Sequence, residues 1–191
     1  MEGKIIIFSA PSGAGKTTIV KHILSIFPEM EFSISACSRL KRPNEIDGKD
    51  YFFITAEEFR IKIDNGEFVE WEEVYENCYY GTLRSELGRI WKSGHIVVFD
   101  VDVKGGINLK RIFGDNAISI FISPPDLKTL EQRLRNRATD SEESLKKRIE
   151  KATWEMEFAS KFDKLIVNNE LTKTFQETEQ IVKAWINNTP Q

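Results

Sequence analysis

Short apolar runs recur along the chain and alternate with stretches in which apolar residues have helical spacing. Four runs rich in β-branched residues predict buried strands: KIIIF (4–8), HIVVFDVD (95–102), AISIFIS (117–123) and KLIVN (164–168). Near-continuous apolar strands separated by helices are typical of a parallel sheet that is covered on both faces. The pattern therefore predicts an α/β fold.

Two segments between or after these strands have clear helical spacing. Segment 16–27 is stopped by Pro28, and its apolar positions are Ile19, Ile23, Leu24 and Ile26. Segment 172–186 predicts a last helix with a single apolar stripe. That stripe consists of Phe175, Thr178, Val182, Trp185 and Ile186.

Two regions depart from this alternation. Region 32–87 contains short strands, aromatic residues and turns, and one helix that opens with a capping box of Thr55 and Glu58. It predicts an inserted α+β subdomain. Region 126–158 is charged and helical, and a second capping box, Thr139 with Glu142, follows a break in it. We interpret this region as a helical hairpin.

The composition indicates a globular chain without a strong charge bias. Of 191 residues 40% are hydrophobic, and 27 basic against 30 acidic residues give a net charge of -3. These values exclude a disordered chain and argue against a non-specific nucleic-acid binder. No charged leader or membrane-length apolar segment is evident, and two cysteines are too few for a disulfide framework. We expect a cytoplasmic protein with neither nucleic-acid nor membrane partners.

The stretch SAPSGAGKTT (9–18) joins the first predicted strand to the first predicted helix, as a phosphate-binding P-loop requires. Gly13 and Gly15 allow the backbone to approach a phosphate and to adopt positive φ. Lys16 would reach the β- and γ-phosphates, and the Thr17 hydroxyl would bind Mg²⁺. Ala10 occupies a position that the common pattern gives to glycine, but it keeps that position small. The alternative is an ordinary strand-to-helix turn.

Two carboxylates close the strand VVFDVD. Asp100 and Asp102 lie two residues apart, so an extended strand would place them on one face. The carboxyl ends of parallel strands are where α/β sheets bind ligands. A carboxylate there can hold the water ligands of Mg²⁺ or a substrate. Alternatively, both are solvated strand-end residues.

A basic cluster and an isolated glutamate stand out in region 32–87. Arg39, Lys41 and Arg42 concentrate positive charge near the Tyr51 hydroxyl, and guanidinium groups suit a terminal phosphate. Glu70 lies in a strand-like run, where a carboxylate could accept from N1–H and N2–H₂ of guanine. An adenine edge presents an acceptor at N1 and would repel the carboxylate. The alternatives are a solvated basic loop and a surface glutamate.

The charged hairpin carries three arginines. Arg133 and Arg137 are four residues apart and share a helical face, and Arg148 follows the break. Arginines on such a hairpin suit the charge that develops on a transferring phosphoryl group. A solvated charged helix face is the alternative.

Together these features resemble the guanylate kinases, a likeness that runs from Lys4 to the last helix. SAPSGAGK matches a common variant of the family's SGPSG-x-GK, which implies that Ala10 is tolerated. The family signature S-x-S…R-x-x-R-x-x-E-x-x-G-x-D-Y-x-F appears as Ser33, Ser35, Arg39, Arg42, Glu45, Gly48, Asp50, Tyr51 and Phe53. Lys41 replaces a usual proline and Asn44 a usual glycine, while both arginines are present.

The resemblance also implies a set of site residues. Those for ATP are Ala10, Pro11, Ser12, Gly13, Ala14, Gly15, Lys16, Thr17, Thr18, Arg133, Arg137 and Asn168. Those for GMP are Ser35, Arg39, Arg42, Glu45, Tyr51, Glu70, Tyr80, Gly81, Thr82, Asp100 and Asp102. The implied catalytic residues are Lys16, Arg39, Arg137 and Arg148, and the implied Mg²⁺ ligands are Thr17 and Asp100.

The implied architecture has three parts: a P-loop NTPase core with a parallel sheet flanked by helices (1–31, 88–125 and 159–191), an inserted GMP-binding subdomain (32–87) and a helical lid (126–158). The implied reaction is Mg²⁺-dependent phosphorylation of GMP, and of dGMP, by ATP in purine metabolism, by a monomer or weak homodimer. A kinase for another phosphorylated acceptor is an alternative that Glu70 argues against. A non-catalytic protein-binding module is a second alternative, which the presence of Lys16 and Thr17 argues against.

Overall fold

The computed structural model describes residues 3–136 and 142–188. Within them the strands are β1 (Ile5–Ser9), β2 (Met30–Phe32), β3 (Ala36–Cys37), β4 (Phe52–Phe53), β5 (Phe68–Tyr75), β6 (Cys78–Leu83), β7 (Ile96–Val101), β8 (Ala117–Ser123) and β9 (Lys164–Val167). The helices are α1 (Lys16–Ile26), α2 (Ala56–Asp64), α3 (Arg84–Lys92), α4 (Val103–Phe113), α5 (Leu127–Arg135), α6 (Glu142–Met156) and α7 (Leu171–Asn188).

The chain divides into two compact units. The larger unit comprises Met1–Pro28 and Val98–Gln191, and the smaller unit comprises Glu29–Val97. The three-part division into core, GMP-binding subdomain and lid stays a prediction.

A parallel sheet forms the centre of the larger unit. Its neighbouring strands follow the order β7-β1-β8-β9, and the pairs β1–β8 and β8–β9 are parallel. Every residue of β1 and of β8 is buried, as continuous apolar runs predict for strands covered on both faces. Helices α1 and α4 contact β1, and α7 contacts β9. The predicted α/β fold with a parallel sheet flanked by helices is confirmed.

The two helices predicted from spacing both form. α1 buries Ile19, Val20 and Ile23, whereas Ile26 is 40% exposed at the last turn. In α7 the predicted stripe faces inward, and Thr178 and Val182 are fully buried.

Helix α4 was not predicted, and it gives the Asp102 carboxylate a structural role at the start of the helix. Asp102 is the N-cap of α4, and its side chain accepts a hydrogen bond of 2.8 Å from the Gly105 amide. The strand therefore ends at Val101. Asp102, predicted to lie on the strand with Asp100, directly follows it with an extended backbone and caps the next helix, so the prediction is wrong in placing Asp102 within the strand.

In the smaller unit, four strands form a sheet in the order β4-β3-β6-β5. Helix α2 packs on it through Phe59, which stacks on Phe68 with ring centroids 4.2 Å apart. The predicted capping box is present, because Thr55 accepts from the Glu58 amide while the Glu58 side chain accepts from the Thr55 amide. Helix α3 was not predicted.

The charged region 126–158 forms two helices, α5 and α6, as the hairpin interpretation requires. They pack through Leu130, Leu134, Leu145 and Ala152. The predicted residues Arg137 and Thr139 lie outside the described residues. None of the helices within 3–136 and 142–188 combines the length and the apolar character that a membrane crossing requires.

Candidate active site

The loop between β1 and α1 has the backbone of a phosphate cradle. Gly13 and Gly15 have φ of 93° and 96°, and Gly15 is the N-cap of α1. A turn hydrogen bond of 3.1 Å from the Ala14 amide to the Pro11 carbonyl closes the loop. A Cβ atom on Gly13 would lie 2.9 Å from Leu134 of α5, so the hairpin packs directly on this loop. Ala10 is buried, so little space is available for a larger residue there, and its tolerance in the loop stays a prediction.

Lys16, Thr17 and Asp100 form a cluster at the start of α1. The Lys16 ammonium forms an ion pair with Asp100 and donates to the Val101 carbonyl, both at 2.5 Å. The Thr17 hydroxyl donates to Asp100 Oδ2 at 3.3 Å. The strand β7 thus brings a carboxylate to the two loop side chains for which phosphate and metal contacts were predicted.

Asn168 joins the loop to the last helix. Its side-chain amide donates to the Ala14 carbonyl at 2.7 Å, and its Oδ1 accepts from Thr174 at 3.1 Å. Arg133 donates from Nη2 to the Asn168 carbonyl at 2.9 Å. Arg133 Nη1 is buried without a hydrogen-bond partner among the described residues. Asn168 therefore supports the loop from behind, and a direct contact of Asn168 with ATP stays a prediction.

Helix α6 approaches the loop from another side. Arg148 Nη2 donates to the Ser12 hydroxyl at 2.7 Å. A cavity of about 300 Å³ lies between α6 and the loop, lined by Lys16, Thr17 and Asp102 among others. Sequence reasoning missed two of its lining residues, Lys151 and Glu155 of α6. Nothing in a charged helical segment distinguishes such residues from solvated ones.

In the smaller unit, Arg39 is the centre of a second polar cluster. Its guanidinium donates to both carboxylate oxygens of Glu45, at 2.7 and 2.5 Å, and to the Tyr80 hydroxyl at 3.0 Å. The same group lies over the Tyr51 and Phe53 rings. Hydrogen bonds from Arg39 and from the Arg42 amide lower the pKa of Glu45 to about 2. Burial raises the pKa of the Tyr51 and Tyr80 hydroxyls, which keeps both as neutral donors.

A carboxylate and a hydroxyl pair across neighbouring strands of this unit. Glu70 of β5 lies opposite Thr82 of β6, and the Thr82 hydroxyl donates to Glu70 Oε1 at 2.8 Å. Gly81 allows the strands to approach, because a Cβ there would lie 2.8 Å from the Glu70 carbonyl. Ser35 is half-buried beside β3, and Arg42 is exposed. The roles predicted for these residues toward guanine and phosphate stay predictions.

Comparisons with known proteins agree with these features. The family model described as guanylate kinase matches residues 2–185. A guanylate kinase of Bacteroides thetaiotaomicron is 49% identical over 98% of this chain and 92% of its own length. One of Salinibacter ruber is 45% identical over 95% of this chain and 96% of its own. The crystal structure of guanylate kinase from Anaplasma phagocytophilum superimposes with a TM-score of 0.71 at 28% identity, covering 95% of this chain and 85% of that one.

Proposed function

This chain belongs to the guanylate kinase family, and we propose that it transfers the γ-phosphoryl group of ATP to GMP, forming ADP and GDP. The observation that carries the proposal is the phosphate loop, in which Gly13 and Gly15 turn the backbone toward the start of α1 beside Lys16. Amide groups at a helix N-terminus bind anions through their N–H donors and the helix dipole. The loop is therefore suited to a nucleotide polyphosphate.

Within that loop, Lys16 has the role of a movable charge. Its ammonium bonds to Asp100 and to the Val101 carbonyl. Contact with the β- and γ-phosphates would stabilise negative charge as the transfer proceeds. The contacts with Asp100 and Val101 hold the side chain beside the loop and support this role.

The residues present fit Mg²⁺. Within 3–136 and 142–188 no group of three or more His, Cys, Asp or Glu side chains could hold a metal by itself. Mg²⁺ commonly takes one or two protein oxygens, with phosphate oxygens and waters as its other ligands. The Thr17 hydroxyl and the Asp100 carboxylate, 3.3 Å apart, supply hard oxygen donors of this kind. When bound, the ion neutralises charge on the phosphates.

The cluster around Arg39 is suited to the phosphate of GMP. Glu45 and Tyr80 fix the guanidinium, so little conformational freedom remains to be lost when a phosphate binds. Arg42, Tyr51 and Tyr80 would complete the phosphate site. Glu70, held by Thr82, would accept hydrogen bonds from guanine N1–H and N2–H₂, and Ser35 would also contact the base.

The reaction requires no general base. A GMP phosphate oxygen is ionised at neutral pH and attacks the γ-phosphorus, and the bond from that phosphorus to the β-bridging oxygen breaks so that ADP leaves. Catalysis is positioning and charge stabilisation, with Arg133, Arg137 and Arg148 acting on the transferring group. The hairpin as a lid would exclude water. A cytoplasmic location and a monomeric or weakly dimeric state belong to the same proposal.

A coupled ADP-release assay with ATP and a panel of GMP, dGMP, AMP, CMP and UMP tests the proposal. We expect rapid turnover with GMP, slower turnover with dGMP and very little with the others. A preference for another monophosphate would favour the alternative acceptor. An absence of turnover with the whole panel would favour the protein-binding module.

A further inference from the structure

Helix α6 presents a row of charged residues to the phosphate cavity. Arg148, Lys151 and Glu155 are spaced by three and four residues and so lie along one helical face. Arg148 contacts Ser12 of the loop, and Lys151 and Glu155 line the cavity beyond it. Ala152, through which α6 packs on α5, lies beside this row, four residues after Arg148 and three before Glu155. The row therefore borders the face by which α6 packs on α5.

Glu155 is an unusual residue for an anion-binding cavity. It is 4% exposed, and a buried carboxylate is costly unless a cation compensates it. Burial raises its pKa, the Asp102 carboxylate raises it further, and Lys151 and Lys16 oppose the change. The Lys151 ammonium lies 3.6 Å from Glu155 Oε1, one helical turn away. Glu155 thus forms an ion pair with a lysine at the edge of the cavity.

A second pair on the same helix shows what an ordinary surface pair looks like. Lys147 and Glu143 are also four residues apart, with their charged atoms 2.7 Å apart, but their side chains are 73% and 80% exposed. Such pairs contribute little to stability and hold neither partner in place. In the Lys151–Glu155 pair the lysine side chain is 62% exposed, whereas the glutamate side chain is buried. The ammonium is therefore accessible while its partner carboxylate is enclosed.

We propose that Lys151 is a further ligand of the ATP polyphosphate, delivered by α6, and that Glu155 is the positioning residue that holds its ammonium over the cavity. The 3.6 Å separation from Glu155 is longer than a hydrogen bond, so the three N–H donors of the ammonium can bind phosphate oxygens while the ion pair persists. The proposal deepens the proposed function and rests on it. It adds a second lysine, beside Lys16, to the lining of this cavity.

Calorimetric titration with MgATP, and separately with GMP, tests Lys151. We expect Lys151→Met to raise the Kd for MgATP about tenfold, the loss of one charge-assisted contact at a partly exposed site. Lys151→Arg should keep most of the affinity, because the charge remains. Lys147→Met is the matched control and should bind MgATP as the wild type does. The Kd for GMP should be unchanged in all three variants.

Glu155→Gln, alone and combined with Lys151→Met, tests the positioning role. The single change should raise the Kd for MgATP about threefold, less than the loss of the lysine itself. In the Lys151→Met background it should cause no further loss, because Glu155 acts through Lys151. Thermal unfolding of each variant reports folding, and Glu155→Asp replaces Glu155→Gln if the latter does not fold.

Three results would overturn the proposal. The first is an unchanged Kd for MgATP in Lys151→Met, and the second is a loss of GMP affinity in that variant as large as its loss of MgATP affinity. The third is that Glu155→Gln raises the Kd for MgATP by the same factor in the wild-type and Lys151→Met backgrounds. The last result would mean that Glu155 acts independently of Lys151. A different result would refute the proposed function, namely a wild-type protein that does not bind MgATP or does not phosphorylate GMP. A wild type that does both, beside a Lys151→Met variant with unchanged affinity, refutes the role of Lys151 alone.

Discussion

Replacement of Gly15 by alanine should damage the phosphate loop through two separable effects. The residue has φ of 96°, and a left-handed backbone costs an L-residue roughly 1–2 kcal/mol. A Cβ there would also lie 2.4 Å from Asn168 Nδ2, so the amide must move. That amide donates to the carbonyl of buried Ala14, and an unpaired buried acceptor costs about 1–3 kcal/mol. Together the free energy of unfolding should fall by about 2–5 kcal/mol.

The two effects can be measured apart by urea unfolding monitored by circular dichroism. Asn168→Ala removes the same hydrogen bond without backbone strain, and should cost about 1–3 kcal/mol. Loss of the Asn168 side chain also removes one acceptor of the Thr174 hydroxyl, which retains the Glu170 carbonyl as an acceptor at 3.0 Å. Gly94→Ala is the control for strain alone, because Gly94 has φ of 77° and nothing lies within 4 Å of its added Cβ.

The double variant, Gly15→Ala with Asn168→Ala, tests whether the two changes remove the same hydrogen bond. If the Gly15 methyl group displaces the Asn168 amide, then Asn168→Ala should cost almost nothing in the Gly15→Ala background, because the bond to Ala14 is already lost. The coupling free energy should be about 1–3 kcal/mol. Full additivity of the two changes would refute the reasoning, as would a Gly15→Ala loss no larger than that of Gly94→Ala.

Three further predictions concern the proposed reaction. Lys16→Ala should lower kcat by roughly a hundredfold or more and keep GMP binding, and near-normal steady-state turnover would contradict the role of Lys16. Glu70→Ala should cost about 2 kcal/mol in kcat/KM for GMP and less for AMP, so an unchanged GMP-to-AMP preference would mean that Glu70 does not read the base. Arg42→Ala should weaken GMP binding to the ATP-free protein by about 1.5–3 kcal/mol in a calorimetric titration. Arg148→Ala should leave that Kd unchanged and lower kcat, and equal losses of GMP affinity in both variants would contradict separate phosphate sites.

Features that depend on neighbouring residues could be predicted from the sequence. The apolar runs of β1 and β8 and the capping box at Thr55 form as predicted, because each is fixed by chemistry within a few residues. The glycines of the phosphate loop belong to the same class, since the turn between a strand and a helix determines their φ.

Helix α4 shows where local reasoning fails. Gly105 and Gly106 lower the intrinsic helix propensity of its first turn. The position of Gly106 is explained by a distant contact, because a Cβ there would lie 2.3 Å from the Ser9 hydroxyl of β1. A strand about a hundred residues away thus requires a residue that is unfavourable for the helix that contains it. One signal was available, because Asp102 directly precedes apolar positions at helical spacing.

The same limit applies to the charged residues of α6. Glu143 with Lys147 and Lys151 with Glu155 are lysine–glutamate pairs of identical spacing but opposite order on one helix, and neither spacing nor order shows which pair lies beside the cavity. What separates them is the cavity formed with the loop that begins at residue 10 and with Asp102, which Glu155 lines, whereas Glu143 is 80% exposed. Burial supplied by distant segments turns a surface pair into a fixed charge beside a phosphate cavity. For this reason the cavity, rather than the helix, determines which lysine of α6 can bind a nucleotide.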